Sequence, residues 1–139
     1  MQEETAFESF LAWYSCVTLI PYDLEFTVYD DDSAGTCDFL GELTYPEKKI
    51  FNRVYYLDWK TGMYSDRYSH GPQIAQYKKA DGRFPGAGIA VVHFNKDAVD
   101  FKFVDYSKYE RNMLNQYFLM EELFYSRHQR TERPTKLPF

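Results

Sequence analysis

Two Ser/Thr-x-x-Glu signatures, Thr5-Ala6-Phe7-Glu8 and Ser107-Lys108-Tyr109-Glu110, bracket every alternating apolar run in the chain. In such a capping box each side chain satisfies an orphan backbone N–H of a helix's first turn. The pattern predicts a helix at each end and a sheet between them. After the first signature Phe7, Phe10, Leu11 and Tyr14 follow at i, i+3, i+4 and i+7, which makes one apolar face. The β-branched residues Val17, Thr18 and Ile20, then Pro21, predict its end. After the second, Met113, Tyr117, Met120 and Phe124 form a stripe widened by Leu114, Phe118 and Leu123, broad enough to pack on a sheet or on another chain.

Between the signatures Leu24–Tyr29 alternates strictly, with Leu24, Phe26 and Val28 on one face, as a half-buried strand does. Phe39–Leu43 reads as a second strand, closed by Pro46, and Ile50–Trp59 as a third. Ile89–Phe94 and Ala98–Val104 flank the polar Asn95-Lys96-Asp97, the pattern of a hairpin. From Lys60 to Gly88 glycine and proline predict turns, with a short helix over Gln73–Lys79. The expected fold class is α+β: an antiparallel sheet of about five strands packed by the N-terminal and C-terminal helices. The 139 residues suit a single domain over 1–126, followed by a basic, aperiodic tail over 127–139 that contains Pro134 and Pro138.

Charge divides the chain. Residues 1–47 hold eleven acids and no Lys or Arg, whereas all 16 basic residues fall after them; the two parts carry −11 and +6 within a total of −5. Such asymmetry sets up a field that steers an electropositive partner, unless the halves neutralise each other across the folded surface. Thirteen Tyr, 12 Phe and 2 Trp make 19% of the chain. Each Tyr hydroxyl needs a hydrogen-bond partner or water, so the tyrosines divide between a core and a contact face.

Signals for chemistry are sparse. His70, His93 and His128 lack metal-ligand spacing, and neither Cys16 nor Cys37 carries a nucleophile signature. Gly82–Gly88 precedes a strand and lacks the Gly-Lys-Ser/Thr end of a phosphate loop, so it reads as a turn. Paired carboxylates can be assembled from 21 acids in many folds and decide nothing at this level. Lys78, Lys79 and Arg83 lie near Tyr64, Tyr68 and Tyr77, but the acidic balance and the lack of a recognition motif argue against direct nucleic-acid binding. Met-Gln-Glu-Glu is no secretory leader and no run is long enough to span a membrane. The expectation is a soluble cytoplasmic protein.

Residues 24–42 run Leu-Glu-Phe-Thr-Val-Tyr-Asp-Asp-Asp-Ser-Ala-Gly-Thr-Cys-Asp-Phe-Leu-Gly-Glu. This segment resembles the strand–loop–strand of C2 domains, in which a strand runs into Asp-x-Asp, then five residues, Asp and a hydrophobic-Gly-Glu. The resemblance covers 19 residues. It implies a β-sandwich module binding Ca²⁺ and phospholipid, with Asp30, Asp32 and Asp38 as ligands, since Ca²⁺ takes six to eight oxygens. The other reading of Asp30–Asp38 is a solvated turn whose acids suit Asx geometry.

The function expected from the sequence is a non-catalytic interaction protein without a cofactor. It resembles in character the small inhibitors and accessory factors of viruses or mobile elements. Its partner would be a protein with a basic surface, met by Asp23, Glu25, Asp30, Asp31, Asp32 and Asp38. The C-terminal helix offers a face for a homo-oligomer. The alternatives are the C2-like calcium module and a small enzyme with a dispersed site.

Overall fold

The computed structural model describes residues 2–29, 34–61 and 70–127, with side chains as far as residue 123. The chain runs α1 (Gln2–Tyr14), β1 (Thr18–Tyr29), β2 (Ala34–Tyr45), β3 (Ile50–Thr61), α2 (His70–Asp81), β4 (Gly88–Phe94), β5 (Phe101–Asp105) and α3 (Glu110–Arg127). The class is α+β, with a five-stranded sheet in the order β1-β2-β3-β4-β5. The sheet is mixed: β3 and β4 are parallel, from Tyr55↔Gly88 to Thr61↔Phe94, and the other three pairings are antiparallel. The expected all-antiparallel sheet is thus corrected at one pairing. The reason is α2, because a helical crossover returns the chain to the same end of the sheet, which a tight turn cannot do.

Helices cover both faces. On one, α1 lays Trp13, fully buried, against Tyr45, Trp59 and Phe94 at ring-centroid distances of 6.3, 5.6 and 5.9 Å. On the other, Ile74 and Ala75 of α2 pack over Leu40, Tyr56, Ile89 and Val91, and Met113 and Leu114 of α3 join them. Lying under both layers, β4 is buried at every position, which is why Ile89–Phe94 reads as a continuous apolar run rather than an alternating one. Lys78, 5% exposed, ties α2 to α3: its Nζ donates to Glu110 Oε1 (2.6 Å) and to the Ala87 carbonyl (2.8 Å).

Several sequence expectations shift. The first helix starts by Gln2, ahead of the Thr5 signature, and Val17-Thr18-Leu19-Ile20-Pro21 leads into and opens β1 rather than merely ending the helix. Pro21 is tolerated because β1 is an edge strand, and the register slips between Pro21 and Asp23. At the second signature Ser107 accepts from the Ile89 N–H (3.0 Å) and donates to Asp105, while Glu110 binds Lys78. Tertiary partners have taken both capping groups. Tyr45, Tyr55 and Tyr56 are core residues, whereas Tyr14, Tyr22, Tyr29 and Tyr109 are exposed. No helix among the described residues is long and apolar enough to cross a membrane. The expected tail lies, from residue 128 on, outside the described residues.

Candidate functional site

The β2–β3 pairing stops at Phe39↔Leu57, while β1 and β2 continue as a two-stranded arm to Tyr29↔Ala34. One residue beyond the last β2–β3 rung, the Asp38 Oδ2 accepts the Trp59 N–H at 2.8 Å. A carboxylate has replaced a main-chain carbonyl at the fork. There it neighbours Asp58 of β3, whose carboxyl it helps to raise.

Asp58 is 4% exposed. Burial first, then the neighbouring Asp38, push its carboxyl up to about 7, although Lys60 pulls the other way. Lys60 follows at i+2, on the same face of β3. Its Nζ lies 3.0 Å from Asp58 Oδ2 and donates to Gln73 Oε1 of α2 at 3.2 Å. Four residues on in α2, Tyr77 senses the same group: burial, then the charge of Asp58, push its hydroxyl up to about 12. The Tyr77 ring lies on the arm so closely that a Cβ at Gly35 would stand 2.6 Å from it.

Two histidines complete the surroundings. His93 of β4 is the register partner of Lys60, and its ring centroid is 5.2 Å from that of His70, the first residue of α2. Burial, with the charges of His70 and Lys60, draws the His93 imidazole down to about 4. The cluster therefore stands at the carboxyl ends of the parallel pair β3–β4, beside the start of α2.

Of the residues singled out from the sequence, Asp38 belongs to this cluster. Asp23 lies on the arm's root and pairs with Arg83 Nη2 (3.1 Å), which also holds Asp81 (2.9 Å) and stands over the Phe26 ring. Glu25 is exposed, with an unusual backbone φ of +46°. Asp30, Asp31 and Asp32 lie outside the described residues. Sequence reasoning missed Asp58, Lys60 and Gln73. Asp58-Trp59-Lys60 places an acid and a base at i, i+2 in a strand, and Gln73 and Tyr77 stand at i, i+4 in a helix. That spacing is a usable signal, hidden because Trp59 reads as a strand end and the following segment as turns.

A cavity of about 360 Å³ opens on the α1 side of the same fork, lined by Phe10, Tyr14, Leu24, Glu25, Asp38 and Trp59 among others. No protein-family model matches the chain, and comparison with curated protein sequences finds no match.

Proposed function

We propose that the chain is a divalent-metal-dependent phosphodiesterase. The observation that carries this reading is the juxtaposition of two carboxylates from adjacent strands, Asp38 and Asp58, with Lys60 on Asp58 and Gln73 on Lys60. Two like charges pressed together in a buried place are unfavourable unless a proton or a cation lies between them. A hard divalent cation such as Mg²⁺ suits the donor set, since it is commonly bound through one or two carboxylates and completes its shell with water and substrate phosphate. Asp38 and Asp58 would hold it, and it would supply Lewis-acid polarisation of the phosphate and lower the pKa of an attacking water.

The chain's own groups account for the rest. Hydrolysis joins a water oxygen to phosphorus and breaks one bridging P–O bond, and the departing alkoxide takes a proton. Lys60, held by Asp58 and Gln73, places a fixed positive charge where negative charge grows on the phosphoryl oxygens. Gln73 accepts from Lys60 and restrains its flexible stem. The start of α2 adds N–H groups and a positive dipole end beside the cluster, which favours an anion there.

The test is incubation of the purified chain with labelled single- and double-stranded DNA and RNA in Mg²⁺, Mn²⁺ or EDTA. Cleavage should require metal and disappear in Asp58→Asn and Lys60→Ala chains that keep the wild-type circular dichroism. Absence of cleavage on all four substrates, or cleavage that survives Asp58→Asn, overturns the reading.

The interaction-protein reading retains one specific observation. Phe7, Leu11, Tyr14, Ile20, Tyr22, Leu24 and Tyr29 are all exposed along α1 and the outer strand β1, close to Glu25. An acidic, aromatic-rich face of this kind supports contact with an electropositive protein. Capture of such a partner should weaken as salt rises, and Glu25→Gln with Leu24→Ser should reduce it. Capture insensitive to both salt and substitution counts against this reading.

A further inference from the structure

We propose that the cavity on the α1 face of the sheet binds a small organic cation, a primary ammonium carried on an apolar aryl-alkyl body. Asp58 and Lys60 alternate with Trp59 along β3 and meet α2 through Gln73 on the other face. The cavity is therefore a separate site, and the inference stands apart from the phosphodiesterase reading.

Size and lining select the class. A volume of about 360 Å³ is in the range of small-molecule sites, which are mostly apolar with a few placed polar groups. Phe10, Tyr14, Leu24 and Trp59 supply apolar wall. Phe10 stacks on Tyr14 with centroids 5.6 Å apart and meets Trp59 edge-on at 6.5 Å. The face of such a ring attracts a cation through its quadrupole. The charged groups of the wall are Glu25 and Asp38, and among the described residues no Lys, Arg or His lines it. Carboxylates only accept hydrogen bonds, so an ammonium with its N–H donors matches them and an anionic ligand is repelled.

The charge division of the sequence comes to bear here. Every wall residue except Trp59 belongs to residues 1–47, the part with eleven acids and no Lys or Arg. Helix α1 ends at Tyr14 with no basic residue in its last turn, so the negative end of its dipole lies at the cavity and favours a cation. Asp23, from the same acidic part, is met by Arg83, but among the described residues no ion pair engages Glu25. Asp38 already accepts the Trp59 N–H at 2.8 Å, which leaves Glu25 as the anchor. Glu25 stands between the paired rungs Leu24↔Phe39 and Phe26↔Cys37 with a φ of +46°, a left-handed conformation that clusters at ligand sites.

The test is isothermal titration calorimetry of the full wild-type chain, without metal, against phenylbutylammonium, its neutral counterpart phenylbutanol, the anion phenylbutanoate, and N-acetyl-lysine amide. The amine should saturate and bind about tenfold more tightly than the alcohol, the combined scale of a cation–π contact and a surface ion pair. The anion should not bind, and raised salt should narrow the amine's advantage. Glu25→Gln should weaken the amine about threefold, the scale of an exposed pair, and leave the alcohol unchanged. Leu24→Trp, which fills the cavity from a position 57% exposed, should abolish binding of both with the wild-type circular dichroism kept; Glu25→Gln carries the test if it is not. Equal affinity for amine and alcohol overturns the proposal, as does amine binding that ignores Glu25→Gln. Tighter binding of N-acetyl-lysine amide than of the amine also overturns it, by making a partner protein's lysine the occupant. So does a wild-type dimer that Leu24→Trp splits, which would seat a second copy there.

Discussion

Asp58 shows how a single buried group can be costly to the fold and central to a site. Its carboxyl is pushed up to about 7 from an ordinary value of 3.8. A raised carboxyl contributes stability that is fully present below the unfolded value and lost as pH rises through the folded one. At about pH 8, therefore, Asp58→Asn should raise the melting temperature of the metal-free chain by a few degrees, as expected when a functional strain is relieved. The loss of the Lys60 pair takes little from this gain, since Lys60 is 30% exposed. The wild-type chain should melt higher in millimolar Mg²⁺, and the variant should not respond. A variant that melts below wild type without metal and still responds to Mg²⁺ would remove Asp58 from the site. Cys37 is the contrasting case: burial pushes its thiol up to about 12, so in the native chain it should resist alkylation at neutral pH.

The hairpin β1–β2 is the element that builds the fork. Its register slip at Pro21–Asp23 brings Gly41 against the edge strand, where an added Cβ would meet the Ile20 carbonyl oxygen and stand 2.8 Å from the Pro21 Cα. Backbone atoms cannot turn aside as a side chain can. Gly41→Ala should therefore cost about 1–3 kcal/mol, the range for overpacking. It should appear as a lower urea midpoint with an unchanged slope. Gly86, around which a Cβ meets nothing within 4 Å, is the control, and its alanine variant should stay within about 0.5 kcal/mol of wild type. Equal midpoints for the two variants would show that the close approach of β1 to Gly41 is absent in solution. On the α1 face of the sheet, Trp13→Ala should cost about 3–5 kcal/mol, because the indole is fully buried between α1 and three aromatic neighbours.

Across the whole molecule the two buried titrations oppose each other. His93 is drawn down to about 4, so its contribution is present above the unfolded value near 6.5 and is lost as pH falls through 4. Asp58 acts in the other sense over a window from about 4 to 7. The melting temperature of the wild-type chain should consequently change little between about pH 6.5 and 5 from these two groups together. His93→Gln should separate them: relative to wild type, the variant should gain stability steadily on acidification through that range. A constant difference between the two chains at every pH would show that His93 is not held neutral in the folded state.

The α+β class and most strands were legible because they depend on local period: alternation in β1, where Phe26 and Val28 are buried although Leu24 is exposed, and continuous apolarity in β4. The expected face of α1 was not: Phe7, Leu11 and Tyr14 are exposed, and the helix turns Ser9 and Trp13 inward instead, because the indole fills the space among Tyr45, Trp59 and Phe94. Boundaries failed where a local signal had two uses. Val17–Pro21 can end a helix and can also open an edge strand, and Ser107 and Glu110 can cap a helix or bond Ile89 and Lys78. The parallel β3–β4 pair and the meeting of Asp38, Asp58, Lys60 and Gln73 belong to another order of information. These residues come from two strands and a helix, with up to 35 positions between the first and the last. Period fixes which side chains of one element share a face. Only the crossover through α2 and the fork between β2 and β3 bring those faces together, because pairing and packing over long sequence distances are set by burial of the whole sheet.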